Sequence, residues 1–431
     1  MAPSPSTSGS GLTRRTVLAM PLAGGLTAPQ GGGRAEARPG AGPTVAVVGA
    51  GAFGGWTALW LRRRGARVTL LDPWGAGNSR SSSGGETRLL RGIYGPDRLY
   101  SEWVARALER WRELERDAGL PLYRPLGALW MFAGDDAYAR ASMPALAELG
   151  LPVEELSPVE AGRRFPQVDF AGVRTVFVER QAGYVAARRA CQVVAQALAR
   201  SGGELRAAAA RPGTIAAGRM TDLRLADGSR LTADLYVFAC GPWLAQLFPE
   251  VLHGALRVTR QEVFFFGTPA EERRYDEESL PAWVDFGERI RYGIPGNEHR
   301  GFKVADDTRG APMDPTSDER RPSADGLVEA RAHLARRFPG LAGAPLVEAR
   351  VCQYENTPDG HLLAGRHPRA ENVWLLGGGS GHGFKLAPVV GEEAARWVLG
   401  EAAPPARFSL TRLPGLVAGT QRTQFQSEAR A

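Results

Sequence analysis

Short runs of β-branched and apolar residues recur along the chain, each stopped by glycine, and a segment of helical spacing follows the first of them. Thr44-Val45-Ala46-Val47-Val48 breaks off into Gly49-Ala50-Gly51-Ala52-Phe53-Gly54. Beyond it, Ala58 and Leu61 share one face of a periodic segment that closes at Gly65, and Arg67-Val68-Thr69-Leu70-Leu71 restores the strand pattern before Asp72. The order is strand, glycine turn, helix, strand, acid. Arg62-Arg63-Arg64 reads as the solvated end of that helix. Two later runs look like returns to the same sheet. Leu235-Tyr236-Val237-Phe238-Ala239-Cys240-Gly241 follows a small meander with an Asp227-Gly228 turn. Val373-Trp374-Leu375-Leu376 enters Gly377-Gly378-Gly379-Ser380-Gly381-His382-Gly383, after which a helix is predicted from Pro388 to Leu399 with the proline in its first turn.

The first unit has the parts a dinucleotide needs. Gly49 permits a tight turn, Gly51 lets a pyrophosphate approach the backbone, and Gly54 lets the helix pack on the strand. The phosphates then meet the helix N-terminus, and Asp72, 21 residues after Gly51, can accept hydrogen bonds from a ribose hydroxyl. FAD and NAD both satisfy this unit, although its place close behind the leader leans towards FAD. The second glycine loop, running into a helix, offers N–H groups and a positive dipole end that would stabilise an anionic reduced flavin.

Composition narrows the class. A chain of 431 residues, 43% hydrophobic and 23% charged, is expected to form two domains, or one with a large insertion. The net charge of +7 is spread, without the basic stripe and interleaved aromatics of a nucleic-acid binder. Three distant cysteines, Cys191, Cys240 and Cys352, have neither disulfide nor metal spacing. Cys191 and Cys240 read as core thiols, and His361 and His367 as surface or supporting residues. Of 53 basic residues only Lys303 and Lys385 are lysine, which marks them as places where a guanidinium is too wide or too permanently wet. Thr13-Arg14-Arg15-Thr16-Val17-Leu18-Ala19 is a twin-arginine pattern, and Ala35-Glu36-Ala37 a plausible cleavage site. Export is therefore expected, with residues 1–37 as leader. The apolar stretch Leu18 to Ala28, broken by Pro21, Gly24 and Gly25, is too short for a stable membrane span. Residues 415–431 are polar and expected to be disordered.

Four segments together resemble the D-amino-acid oxidase/glycine oxidase superfamily, and within it the monomeric sarcosine oxidase and N-methyltryptophan oxidase group. They are Gly49–Asp72, Gly85-Glu86-Thr87-Arg88-Leu89-Leu90-Arg91, Gly301-Phe302-Lys303, and Cys352-Gln353-Tyr354-Glu355-Asn356-Thr357-Pro358-Asp359 continuing to Gly379–Lys385. Both lysines lie inside them. The resemblance implies FAD attached through a thioether to Cys352, with Gly379, Gly381, His382, Gly383 and Thr87 also against the cofactor. It implies Arg91 and Lys385 as clamps on the substrate carboxylate, Lys303 beside the flavin where oxygen reacts, Arg88 facing the flavin, and Tyr292 and Tyr354 in the substrate pocket. Those residue types suit the chemistry. A fork and a point charge anchor a carboxylate, anchoring holds the substrate C–H close to the flavin, and a compact ammonium stabilises charge developing on oxygen.

Two departures stand out. Group members usually carry histidine where this chain has Gly84, which could leave room for a larger substrate, and histidine where it has Asp307, which could recruit a cationic group or face solvent. The expected fold is α/β: a Rossmann-type FAD-binding domain from residues 42–110, 178–250 and 345–405, and an antiparallel-sheet substrate domain from 111–177 and 251–344. The expected function is an exported oxidase, monomeric by resemblance, that turns a secondary or N-methyl amino acid into an imine while O2 becomes H2O2. Its rivals are an imine-forming dehydrogenase or biosynthetic oxidase for a cyclic amino acid such as proline or pipecolate, a non-catalytic flavin-binding envelope protein, and an NAD dehydrogenase.

Overall fold

A computed structural model describes residues 42–252 and 254–416. The twin-arginine leader, and the expected disordered tail from residue 417 onward, lie outside the described residues.

Strand β1 (Thr44–Val48) occupies an inner position of a six-stranded sheet, and helix α1 (Ala52–Arg63) leads from it to β2 (Arg67–Leu71). Strands Leu235–Phe238 and β2 flank β1 in parallel, Ala370–Gly377 continues the sheet in parallel, and Leu363–His367 closes one edge antiparallel. Val45, Ala46 and Val47 are at most 1% exposed, as expected for a parallel strand covered on both faces. Helix α1 packs against helices Ala387–Val398 and Ala187–Arg200. The first crossing is close because Gly391 has no side chain: a Cβ there would stand 2.6 Å from the Trp56 backbone. The opposite face is covered by the predicted meander, Leu223–Leu225 paired with Arg230–Leu231 across the Asp227-Gly228 turn.

The second large sheet has eight strands, in the order Leu346–Asn356, Arg257–Phe266, Phe302–Asp306, Ile290–Ile294, Ala282–Phe286, Ala128–Phe132, Thr175–Glu179, Val153–Leu156. It is antiparallel except where Ala282–Phe286 runs parallel to Ala128–Phe132. Strand Leu346–Asn356, expected with the cofactor portion, pairs along its length with Arg257–Phe266. It therefore belongs to this sheet, and it carries Cys352 and Tyr354 to the boundary with the other. Helix Ala324–Arg337 covers one face through Phe302, Leu334 and Phe338.

His367, read as a surface or supporting residue, is the latter: it is 2% exposed, and its Nε2 faces Glu250 at 3.1 Å. One expectation is corrected here. Gly84 opens no space for a larger substrate: a Cβ there would lie 1.8 Å from the Asn78 carbonyl oxygen, so the glycine serves a close approach of two backbone segments. Cys191, buried in its helix, matches the expectation of a core thiol, and burial pushes its pKa up to about 12. Burial likewise raises Cys240, which lies just past strand Leu235–Phe238.

Candidate active site

A cleft of about 640 Å³ runs from the N-terminus of α1 past Asp72, Ser81–Ser83 and Pro212 to Gly379, Gly381 and Gly383. Its geometry suits a dinucleotide. Gly49, at φ +102°, sits where a Cβ would meet the Ala239 carbonyl oxygen at 2.4 Å, whereas Gly51 is open to the cleft and has only Ser83 Oγ nearby, at 3.4 Å. Gly54 is set behind: its missing Cβ would stand 1.9 Å from the Gly49 carbonyl oxygen, so it seats the helix on the turn. The Ala52 amide at the start of α1 donates to Ser83 Oγ at 3.0 Å, and the positive end of the helix faces the cleft. The Asp72 carboxylate lines the cleft and accepts from the amides of Ala50 at 3.0 Å and Trp74 at 2.8 Å. Burial raises its pKa, and those hydrogen bonds oppose the rise. The far glycine loop is shaped by left-handed residues, Gly378, Ser380 and Gly381.

A second cavity, of about 60 Å³, adjoins the cleft, and Arg88, Tyr354, Gly381 and Phe384 line both. Arg88 stands between them. Its Nη2 donates to the Ser82 carbonyl at 2.6 Å and to Cys352 Sγ at 3.3 Å, and its Nη1 donates to the Thr87 carbonyl at 3.0 Å. That same carbonyl accepts from Lys303 Nζ at 3.0 Å. Lys303 is 1% exposed, and burial, then the Arg88 charge, push its pKa down to about 7. Thr87, expected against the cofactor, instead serves Arg88 and Lys303 with its carbonyl and lines a separate polar pocket beside Glu86 and Arg300.

The small cavity brings Arg91 and Lys385 together. Arg91 donates to the Ile93 carbonyl and stacks on Tyr94, 4.4 Å from its ring centre. Lys385 Nζ donates to the His382 carbonyl at 3.0 Å and lies 5.1 Å from the same ring. Burial, then the Arg91 charge, drive the Lys385 pKa well below its ordinary value, while Asp307 and Glu179 oppose the fall. Two cations thus flank one buried tyrosine, with the Glu179 carboxylate acting on both and Asp307 on Lys385, an arrangement that suits a carboxylate ligand. His382 lines this cavity rather than the cleft. Its Nδ1 faces the Tyr94 hydroxyl and its Nε2 the Gly360 carbonyl, both at 3.0 Å. A carbonyl can only accept, so Nε2 carries the proton and Nδ1 accepts from tyrosine; burial keeps the ring neutral. Tyr292 and Tyr354 meet with hydroxyls 3.5 Å apart, and the Tyr354 hydroxyl donates to Asp307 at 2.8 Å. Asp307, left open between a ligand role and a solvent-facing one, is 5% exposed and lines the cavity.

Two residues of this region carry no sequence assignment. Tyr94 bears both cations, yet nothing in Arg91-Gly92-Ile93-Tyr94 announces it. Glu355 lines the cleft, accepts from the Gly378 amide at 3.0 Å, and is pushed by burial to about 7. A carboxylate inside an otherwise apolar and amidic strand motif was the available signal.

Residues 44–397 match the FAD dependent oxidoreductase family. The chain is 32% identical to the monomeric sarcosine oxidase of Streptomyces avermitilis over 81% of its length and 92% of that protein's. It is 27% identical to the N-methyl-L-tryptophan oxidase of Salmonella enteritidis over 85% and 96%. Among solved structures, the L-proline dehydrogenase of P. horikoshii superposes with a TM-score of 0.76 at 19% identity, covering 87% of this chain and 98% of that one, a likeness of fold.

Proposed function

This chain belongs to the FAD dependent oxidoreductase family, and on that premise we propose that it oxidises a small secondary or N-methyl amino acid, releasing an imine and hydrogen peroxide. One observation carries the reading: a small cavity lined by Arg91 and Lys385 adjoins the dinucleotide cleft, with Arg88 and Tyr354 lining both. The relatives named sarcosine oxidase and N-methyl-L-tryptophan oxidase support it. A cavity of about 60 Å³ favours a substrate nearer the size of sarcosine than of N-methyltryptophan.

The glycine turn and the α1 N-terminus would hold the FAD pyrophosphate, Asp72 a ribose, and the backbone of Gly379, Gly381 and Gly383 the flavin end. Bound FAD supplies the two-electron acceptance that the side chains lack. Arg91 and Lys385 anchor the carboxylate and fix the substrate's orientation. Tyr292, Tyr354 and Phe384 wall the cavity and exclude water, which strengthens those ionic contacts. Lys303 supplies a compact positive charge where oxygen is reduced. An oxygen electrode with a peroxide assay tests the conclusion: sarcosine should consume oxygen and release peroxide in equal amounts, and oxygen uptake without peroxide would refute it.

Covalent attachment of FAD belongs to the same proposal, with Cys352 as the thiol and the Arg88 guanidinium beside its sulfur. Acid precipitation of the wild-type protein should leave the yellow colour in the pellet, and Cys352→Ser should release it to the supernatant. Colour retained by the variant would move the attachment elsewhere. We also propose export by the twin-arginine route. Arg14→Lys together with Arg15→Lys should retain the protein in the cytoplasm, and unimpaired secretion would contradict it.

A further inference from the structure

The wall of the small cavity, which Arg88, Arg91 and Lys385 also line, holds a carboxylate that the reaction as described does not use. Asp307 follows strand Phe302–Asp306, and its amide donates to the Ile290 carbonyl at 2.9 Å, which fixes its place. Its neighbour Asp306 is engaged by Arg289 at 2.7 Å, and Glu262 by Arg260 and Ser323. The groups around Asp307 come from four directions. Tyr354 donates to it, Tyr292 adjoins Tyr354, Arg309 of its own loop lies 5.1 Å from the Tyr354 ring centre, and Lys385 and His382 approach from the glycine loop. Both tyrosines are pushed upward, by burial first and the Asp307 charge second. They therefore remain neutral hydrogen-bond donors, and His382 is neutral too. Among these side chains, Asp307 is the one that can present negative charge to a ligand.

Arg91 and Lys385 thus define a positive end of the cavity, and Asp307 a negative wall. A bare carboxylate would gain from the first and be repelled by the second. In a cavity of about 60 Å³ the two ligand charges must be only a few bonds apart, as are the carboxylate and amine of an α-amino acid. We propose that Asp307 binds the cationic amine of the substrate, with the Tyr354 hydroxyl steadying the carboxylate, so that the site selects zwitterionic amino acids over plain carboxylates. This rests on the reading of the cavity as an amino-acid site and adds the residue that recognises the nitrogen.

The test compares two probes of one shape on the FAD-loaded protein at pH 7: sarcosine, with an ammonium, and methoxyacetate, with an ether oxygen in its place. Affinity is read from the shift of the flavin bands, or from the concentration dependence of anaerobic bleaching where sarcosine reduces the flavin. Asp307→Asn should weaken sarcosine at least about tenfold, the scale of one lost charge-assisted hydrogen bond, while methoxyacetate binds as well or better. Asp307→Glu should restore part of the preference, which a purely structural role would not do. An unchanged ratio of the two affinities in Asp307→Asn, or an equal fall in both, would overturn this inference and leave the amino-acid site standing. Failure of both probes to bind the wild-type protein would overturn the amino-acid site and this inference with it.

Discussion

Replacing Lys303 by methionine should leave anaerobic reduction of the flavin near its wild-type rate and slow reoxidation by air about a hundredfold or more, the usual cost of removing one preorganised electrostatic group. Lys303 is 1% exposed and donates to a single backbone carbonyl. Desolvation and the neighbouring Arg88 both disfavour its charge, with Cys352 opposing them. Lys303 lines neither the cleft nor the small cavity and reaches them through the Thr87 carbonyl it shares with Arg88 and the Tyr292 ring 5.3 Å away, so its use in the oxygen step is part of the proposal. Methionine keeps the unbranched stem and removes only the ammonium. The pH dependence has a definite sign. With its pKa near 7, Lys303 is charged on the acid side and neutral on the alkaline side, so reoxidation should slow as pH rises through that point. Rapid-mixing kinetics separate the two half-reactions, and an equal loss in both would remove Lys303 from the oxygen step.

Lys385→Met should have opposite effects on activity and stability. The carboxylate anchor loses one of two cations, and truncating one partner of a buried charge pair costs about 2–5 kcal/mol. At about 1.4 kcal/mol per decade, kcat/KM should fall from about thirtyfold to some thousands. The protein without substrate should become more stable, by about 1–3 kcal/mol, because a buried ammonium repelled by Arg91 gives way to an apolar side chain. The folded-state pKa of Lys385 is depressed, so the unfolded chain binds the extra proton and the wild type gains stability as pH rises towards the ordinary lysine range. The variant should lose that gain. Urea unfolding across pH, beside steady-state kinetics, checks both; reduced stability together with full activity would contradict the anchoring role.

What was legible in the sequence follows the range of the interactions involved. The Gly49 to Asp72 unit was readable because its turn, helix start and acid lie within one βαβ stretch and each glycine answers a local demand. Lys303 and Lys385 were readable because fifty-one arginines made them conspicuous. Gly84 was misread because its reason is the Asn78 carbonyl, brought near by a loop that no periodicity describes. Which of its two readings His367 takes was not legible, because its partner, Glu250, is distant in sequence. Strand Leu346–Asn356 joined the other sheet because pairing with Arg257–Phe266 is set by tertiary register. Tyr94 escaped notice since a tyrosine supporting two cations looks, in sequence, like any core tyrosine. The direction Asp307 faces required the Tyr354 contact to be seen.

The central claim, an amino-acid oxidase that uses oxygen, is tested most directly by the flavin spectrum. The purified protein is mixed anaerobically with sarcosine, N-methyltryptophan, proline and pipecolate in turn, then opened to air. The account predicts bleaching by sarcosine in preference to the larger N-methyltryptophan, followed by rapid recovery of colour in air. Bleaching without recovery, or no bleaching by any of the four, would contradict it.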